Sequence, residues 1–152
     1  MAKRADFIEI GKKFGIDKVT ARIIRNRDVI GDNDINMYIN GGIDDLYDPK
    51  LLKDSDKLID ILTEKIKQKK KIRIIGDYDI DGVMSTYILL KALKRAGADV
   101  SCMIPDRIKD GYGLNVELIN KAYDDKIDTI ITCDNGIAAI DEIAHAKDLG
   151  MT

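Results

Sequence analysis

The chain has 152 residues, about the size of one ordinary domain, and it is 45% hydrophobic and 34% charged, which excludes a disordered chain. Its formal charge of −2 excludes a polycation that coats nucleic acid by bulk charge, and its 2 separated cysteines predict neither a disulfide framework nor a cysteine zinc site. No apolar run approaches the roughly 20 residues that a membrane helix needs, so we expect a cytoplasmic protein with no membrane partner.

The first 70 residues predict a helical region, because apolar residues recur at helical spacing. The expected elements are a helix at 7–14, a helix capped by Asp17, a helix that begins at Asp32 or Asn33, a turn at 46–49 and a longer helix capped by Asp54 or Ser55. In the third helix, Tyr38 is expected to face inward.

From Lys71 onward the pattern changes to alternating strands and helices. The expected elements are strands at 72–75, 99–104 and 129–133 and helices at 83–96, 114–123 and 137–149. Strand–helix repetition at this spacing predicts an α/β fold with a parallel sheet and flanking helices, preceded by the helical region. We therefore divide the chain into 1–70 and 71–152, and we expect Cys102 and Cys133, which lie in strand runs, to be small core residues.

Three carboxylates follow the first predicted strand, at Asp77, Asp79 and Asp81. In an extended segment, side chains at this spacing point the same way, and like charges so close repel each other unless a cation neutralises them. Carboxylate oxygens suit Mg²⁺, Mn²⁺ or Ca²⁺, which predicts a metal site; the alternative is a solvated turn in which Asp81 caps the next helix. A calcium EF-hand loop is excluded, because Ile88 stands where that loop needs a Glu and a strand precedes the segment instead of a helix.

Two further segments follow the other predicted strands. Asp134 comes after the third strand. Ligands sit beyond the carboxyl ends of parallel strands, so Asp134 lies close to the first acidic cluster if the two strands are near neighbours. The alternative for Asp134 is an Asx turn that ends the strand. After the second strand, Gly111 and Gly113 permit close backbone approach and Arg107 can bind a phosphate, although a polar turn would also use these residues.

Three segments together resemble the RecJ family, the branch of the DHH phosphoesterases that degrades single-stranded DNA from 5′ to 3′. They are Ile75-Gly-Asp-Tyr-Asp-Ile-Asp-Gly-Val83, Pro105-Asp-Arg-Ile-Lys-Asp-Gly-Tyr-Gly-Leu114 and Thr132-Cys-Asp-Asn-Gly136, and residues 44–49 look similar to RecJ as well. The resemblance implies a centre of two Mn²⁺ or Mg²⁺ ions that activates a water and neutralises the phosphate under attack. It also implies release of 5′-mononucleotides in DNA repair and recombination.

The resemblance assigns a role to each matched residue. Asp79, Asp81 and Asp134 match the catalytic metal ligands, with Asp134 bridging the two ions, and Asp77 is an additional ligand of the RecJ version. Ile75 stands where many relatives carry a His ligand, and the chain has only 1 His in all. The residues that match the substrate-binding positions are Arg107, Gly111, Tyr112, Gly113, Asn135 and Gly136.

The Asp-His-His motif of the family follows the next strand, and this sequence stops at residues 150–152, where that strand is expected to begin. We therefore expect an N-terminal fragment of a longer RecJ-like exonuclease, with a partial DHH domain that is inactive by itself. An exposed sheet edge would promote its self-association. The sequence indicates no particular protein partner.

Three rival interpretations stay open. Another DHH phosphoesterase could act on oligonucleotides, cyclic dinucleotides or pyrophosphate, although the N-terminal helices and Asp77 favour RecJ. A receiver-like signalling module would also hold Mg²⁺ beside acidic residues and Asp134, but it leaves the loop at 105–114 unexplained. A structural or partner-binding domain would fold without regard to metal.

Overall fold

The computed structural model describes residues 7–152. The chain divides into two compact units, with the boundary between Lys53 and Asp54. Within residues 7–152, no helix is both long enough and apolar enough to cross a membrane.

The first unit is helical, as predicted. It contains α1 (Phe7–Phe14), α2 (Lys18–Asn26), α3 (Asp32–Asn40) and two short 3₁₀ turns at Ile43–Asp45 and Pro49–Leu51. Asp17 caps α2 as expected, since its Oδ1 accepts hydrogen bonds from the N–H groups of Val19 at 2.8 Å and Thr20 at 3.1 Å. The prediction for Tyr38 was wrong: it is 47% exposed, because its hydroxyl accepts a hydrogen bond from the Arg27 guanidinium at 2.6 Å on the surface.

The second unit is an α/β layer structure, which confirms the predicted fold class. Its elements are α4 (Ser55–Lys67), β1 (Lys71–Ile75), α5 (Ile80–Arg95), β2 (Asp99–Met103), α6 (Val116–Asp124), β3 (Thr129–Thr132) and α7 (Ile140–Asp148). The strands form a parallel sheet in the order β2-β1-β3, with Ile75 of the central strand aligned with Met103 on one side and Thr132 on the other. β1 is therefore flanked on both sides, and its three β-branched residues suit a strand in that position.

The sheet packs apolar side chains on both faces. Ile72 and Ile74 are completely buried and form one cluster with Leu93 of α5. Leu62 and Ile66 pack against this cluster, so the long helix α4 belongs to the same compact unit as the sheet. Truncation of such a buried isoleucine to alanine costs about 2–5 kcal/mol of stability.

The other face is covered by α6. Ile75, whose side chain alternates with that of Ile74 along the strand, packs in a second cluster with Leu118 and Ile119. Cys133 is partly buried, whereas Cys102 is exposed, so the prediction of a core position was wrong for Cys102. β2 is an outer strand of the sheet, and an outer strand is covered less completely than the central one.

Acidic and basic side chains are matched at the edge where the strands begin, which we call the paired end. Asp128 accepts from Lys65 at 2.5 Å and lies 3.5 Å from Lys70, while Asp125 accepts from Arg73 at 2.7 Å. Burial acts to raise the pKa of Asp128, but the hydrogen bonds from Lys65 and Thr129 and the lysine charges together hold it below its ordinary value. The hydrogen bond from Arg73 lowers the pKa of Asp125 in the same way.

Candidate metal centre and substrate loop

The loops that follow the three strands meet at the opposite edge of the sheet, which we call the site end. The Gly76 N–H donates to the Met103 carbonyl at 3.1 Å, and the Cys133 N–H donates to the Ile75 carbonyl at 3.3 Å. Because β1 lies between β2 and β3, the segment after it is adjacent to both other loops. The strand order thus brings together the three motifs that the sequence singles out.

Asp77 is the most deeply buried member of the acidic cluster. Its side chain has 0% exposure, and neither carboxylate oxygen has a hydrogen-bond partner within residues 7–152. Buried carboxylates normally receive hydrogen bonds or a positive charge, because desolvation of an unpaired charge is costly. The carboxylate of Asp77 therefore lacks the compensating charge that a bound cation would supply.

A glycine allows α5 to begin directly against Asp77. A Cβ atom at Gly82 would lie 2.5 Å from the Asp77 carbonyl oxygen and 2.7 Å from its nitrogen, closer than real contacts allow. Asp79 caps the helix, and its Oδ1 accepts from the Gly82 N–H at 2.9 Å.

The start of α5 corrects one prediction about this segment and excludes the alternative in which Asp81 caps the helix. The helix begins at Ile80 rather than at 83, and its cap is Asp79. The three aspartates consequently do not lie on one extended segment. Asp77 is buried, whereas Asp79 and Asp81 are exposed at the cap and in the first helical turn.

Asp134 joins this cluster from the end of β3. Its backbone is left-handed, with φ of 59°, a conformation in which Asp is more tolerated than most residues. Partial desolvation raises the pKa of Asp134, as do the charge of Asp79, a hydrogen bond shared with Asp79, and the charges of Asp81 and Asp77. Asp134 is therefore close enough to interact electrostatically with each of the other three aspartates that the sequence proposes as metal ligands.

The chemistry of these carboxylates fits a divalent metal ion. Their oxygens are the hard ligands that Mg²⁺ and Mn²⁺ prefer, and the unpartnered oxygens of Asp77 are what a cation would satisfy. However, no three His, Cys, Asp or Glu side chains in the described part of the chain are arranged to hold a metal ion together. His145 does not contribute, since its Nε2 is 2.8 Å from the Asn120 Oδ1 on α6.

The loop after β2 supplies the residues expected to bind substrate. Its first half is a tight turn, in which Oδ1 of Asp106 accepts from the N–H groups of Ile108 at 2.9 Å and Lys109 at 3.1 Å. Gly111 and Gly113 have φ of 76° and 80°, which side chains rarely adopt, so glycine is required there for the backbone to turn.

Tyr112 is a residue of this loop that interacts electrostatically with the aspartates. The negative charge of Asp77 raises the pKa of the Tyr112 phenol most, followed by partial desolvation and the charges of Asp134 and Asp79. The phenol thus stays neutral and can donate a hydrogen bond. Its ring is 69% exposed, so it remains accessible.

Asn135 and Gly136 line a cleft of about 210 Å³ next to the cluster. The remaining lining residues are Tyr112, Gly113, Leu114, Ala138, Ala139 and Glu142. Both polar atoms of the Asn135 side chain are buried without a hydrogen-bond partner among the residues described. Gly136 has φ of 90°, and a Cβ there would lie 2.5 Å from Thr132 Oγ1, so the turn after Asp134 also needs glycine.

Sequence reasoning missed two residues at the site end. Tyr78 places its ring 5.3 Å from the Arg107 guanidinium carbon and 6.1 Å from the Tyr112 ring. Thr86 is buried, and its Oγ1 lies 3.4 Å from Cys133 Sγ, which links α5 to the end of β3. The position of an aromatic residue between Asp77 and Asp79 could have drawn attention to Tyr78, but no sequence signal marks Thr86.

Comparison with known proteins defines the class. Residues 71–152 match the N-terminal domain of the DHH family. The chain therefore belongs to the DHH family.

Its relatives within that family are RecJ proteins. The chain is similar to the single-stranded-DNA-specific exonuclease RecJ of Bacillus subtilis, with 43% identity over 70% of this chain and 14% of that protein. It is similar to a crystal structure of exonuclease RecJ bound to manganese, with a TM-score of 0.58 and 36% identity over 62% of this chain and 24% of that one. A structure of RecJ in complex with Mn²⁺ from Thermus thermophilus covers 99% of this chain with a TM-score of 0.63, but at 24% identity it supports the fold alone.

The chain is thus RecJ-like in sequence and fold. It spans 14% of the length of the Bacillus subtilis relative and 24% and 21% of the two RecJ structures.

Proposed function

We propose that this chain supplies the first part of the divalent-metal centre of a RecJ-type exonuclease, which hydrolyses single-stranded DNA from 5′ to 3′ to mononucleotides. The observation that carries the proposal is the buried carboxylate of Asp77, which has no partner within residues 7–152. It lies in a cluster where partial desolvation and the charge of Asp79 raise the pKa of Asp134. Such unmatched charge is costly to a folded protein and is typical of a site that binds a cation.

Asp77, Asp79, Asp81 and Asp134 would hold Mn²⁺ or Mg²⁺. A bound divalent cation supplies neutralisation of the phosphate charge and activation of the attacking water. Arg107 binds a phosphate of the strand, and the backbone at Gly111, Gly113 and Gly136 lets the strand approach closely. Tyr112 and Asn135 offer hydrogen-bonding groups at the neighbouring cleft.

The family match covers residues 71–152, which supports them as the DHH portion. Of the helical region 1–70 that precedes it, α4 packs against the sheet, and only the part up to Lys53 forms a separate compact unit. Since no three donors close a shell in the described residues, we propose that the isolated chain binds Mn²⁺ weakly and does not degrade DNA. The names of its relatives support single-stranded DNA as substrate. We further propose that the activity serves DNA repair and recombination in the cytoplasm.

Self-association through the sheet edge completes the proposal. Thr152 pairs with the start of β3, since its carbonyl accepts from the Ile130 N–H and its N–H donates to the Asp128 carbonyl, both at 2.9 Å. These two bonds cover only the Asp128 and Ile130 positions, and a second copy could pair with the part of β3 beyond them in the manner of an extra strand. A monomeric mass by light scattering at high protein concentration would argue against it.

The deciding experiment is a calorimetric titration with Mn²⁺ of the unchanged chain, Asp79→Ala, Asp134→Ala and the control Asp99→Ala, which removes an exposed carboxylate where β2 begins. We expect weak binding that is lost in the first two variants and retained in the control. A parallel assay on 5′-labelled single-stranded DNA should show no degradation. Equal Mn²⁺ affinity in all four proteins would refute the metal centre, and rapid degradation would refute the need for further ligands.

A further inference from the structure

Tyr78 connects the acidic segment after β1 to the loop after β2. The Arg107 guanidinium carbon lies 5.3 Å from the centroid of the Tyr78 ring, within the range of a cation–π contact. The rings of Tyr78 and Tyr112 are 6.1 Å apart at an interplanar angle of 82°, an edge-to-face arrangement. Tyr78 therefore contacts both side chains that the loop directs toward the site end.

The carboxylates beside Arg107 are engaged in shaping the loop. Asp106 accepts from the N–H groups of two following residues, and Asp110 Oδ2 accepts from the Asp106 N–H at 2.7 Å. Arg107 itself forms no ion pair in the part of the chain that the structure describes. Its guanidinium donors thus remain available, and the Tyr78 ring is the group that restrains their direction.

We propose that Tyr78 is a positioning residue for the nucleic-acid substrate: its ring holds the Arg107 guanidinium in place to bind a backbone phosphate of a single strand next to the aspartate cluster. This inference rests on the proposed function and deepens it. A planar guanidinium that is already stacked loses less rotamer freedom when it binds a phosphate, so removal of the ring weakens binding although the charge remains.

The test is a double-mutant cycle on binding of a fluorescein-labelled oligo-dT with phosphorothioate linkages, followed by anisotropy in Mn²⁺ at several salt concentrations. We expect Tyr78→Leu to weaken binding about three- to fivefold, Tyr78→Phe to retain the affinity, and Arg107→Gln to weaken binding and lower the salt slope by about 1. In the Arg107→Gln background, Tyr78→Leu should have no further effect, because Tyr78 acts through the guanidinium.

Additive effects of the two substitutions, or equal losses in Tyr78→Phe and Tyr78→Leu, would overturn the inference. The inference would also fail if Tyr78→Leu unfolds at a lower temperature and if, in chains that carry Tyr78→Phe, the substitution Arg107→Gln causes no further loss of affinity. In that case the ring stabilises the fold and Arg107 does not bind the strand. The proposed function is judged separately by calorimetry with Mn²⁺, in which Tyr78→Leu should bind the ion like the unchanged chain. If Mn²⁺ binds and oligo-dT does not, the positioning role fails and the metal centre stands.

Discussion

The two ends of the sheet differ in whether their acidic side chains are paired with basic ones. At the paired end, Asp128 and Asp125 each meet a lysine or an arginine, and the pKa of both carboxyl groups is lowered. At the site end, the buried Asp77 has no partner in the described residues, and the pKa of Asp134 is raised. The charge pairs at the paired end stabilise the folded chain. The unpaired carboxylates at the site end destabilise it unless a cation is bound.

The largest expected effect comes from removal of the unmatched charge. Asp77→Asn should raise the free energy of unfolding by about 2 kcal/mol in EDTA, because it eliminates a desolvated carboxylate. The same variant should lose the rise in melting temperature that Mn²⁺ gives the unchanged chain, since a ligand stabilises only the state that binds it. Thermal unfolding in EDTA and in Mn²⁺ measures both.

A variant that is less stable in EDTA and responds fully to Mn²⁺ would show that Asp77 has a structural role instead. Asp99→Ala is the matched control, because it removes an exposed carboxylate at the opposite end of the sheet.

A smaller change of opposite sign is expected at the paired end. Asp128→Asn should lower the free energy of unfolding by about 1 kcal/mol, because the charge-assisted hydrogen bond from Lys65 is lost while both side chains are partly screened by water. Urea unfolding in EDTA checks this value. If Asp128→Asn and Asp77→Asn shift stability in the same direction, the contrast between the two ends fails.

The smallest expected effect is on the loss of folding stability at low pH. The folded pKa of Asp128 lies below its ordinary value of 3.8, so this group contributes stability above 3.8 that is lost as the pH falls through the folded pKa. We expect Asp128→Asn to reduce the acid-dependent loss of stability, measured by urea unfolding between about pH 5 and pH 3.

Asp134→Asn is the matched test at the other end and has the opposite sign. Because the pKa of Asp134 is raised in the folded chain, its ionised form costs stability at neutral pH, and the variant should be slightly more stable there in EDTA. The difference should shrink as the pH falls, since both proteins then lack the charge. An unchanged difference at low pH would contradict the proposed electrostatic cause.

Much of the fold could be predicted from local pattern. The β-branched run at 72–75 became the central strand, and Asp17 caps α2, because both depend on a few neighbouring residues. The start of α5 could not be predicted in this way. An acidic segment with a glycine fits either an extended turn or a helix cap, and the close approach of Gly82 to Asp77 decided for the cap at Asp79.

The candidate site was predicted in composition but not in arrangement. The sequence proposed all four aspartates, the loop glycines and Arg107. Whether Asp134 reaches the other carboxylates depends on β3 being adjacent to β1, which is a matter of strand order. The contact between Tyr78 and Arg107 likewise joins two loops on neighbouring strands, so no local pattern contains it.

The sequence by itself determined the elements, the carboxylate chemistry and the family, because hydrophobic period, turn residues and motif spacing act over short stretches of chain. Only the tertiary structure decided which carboxylate is buried without a partner, which is exposed and which residue restrains Arg107. These properties depend on desolvation and on contacts between segments far apart in the chain, and both arise only when the sheet is assembled.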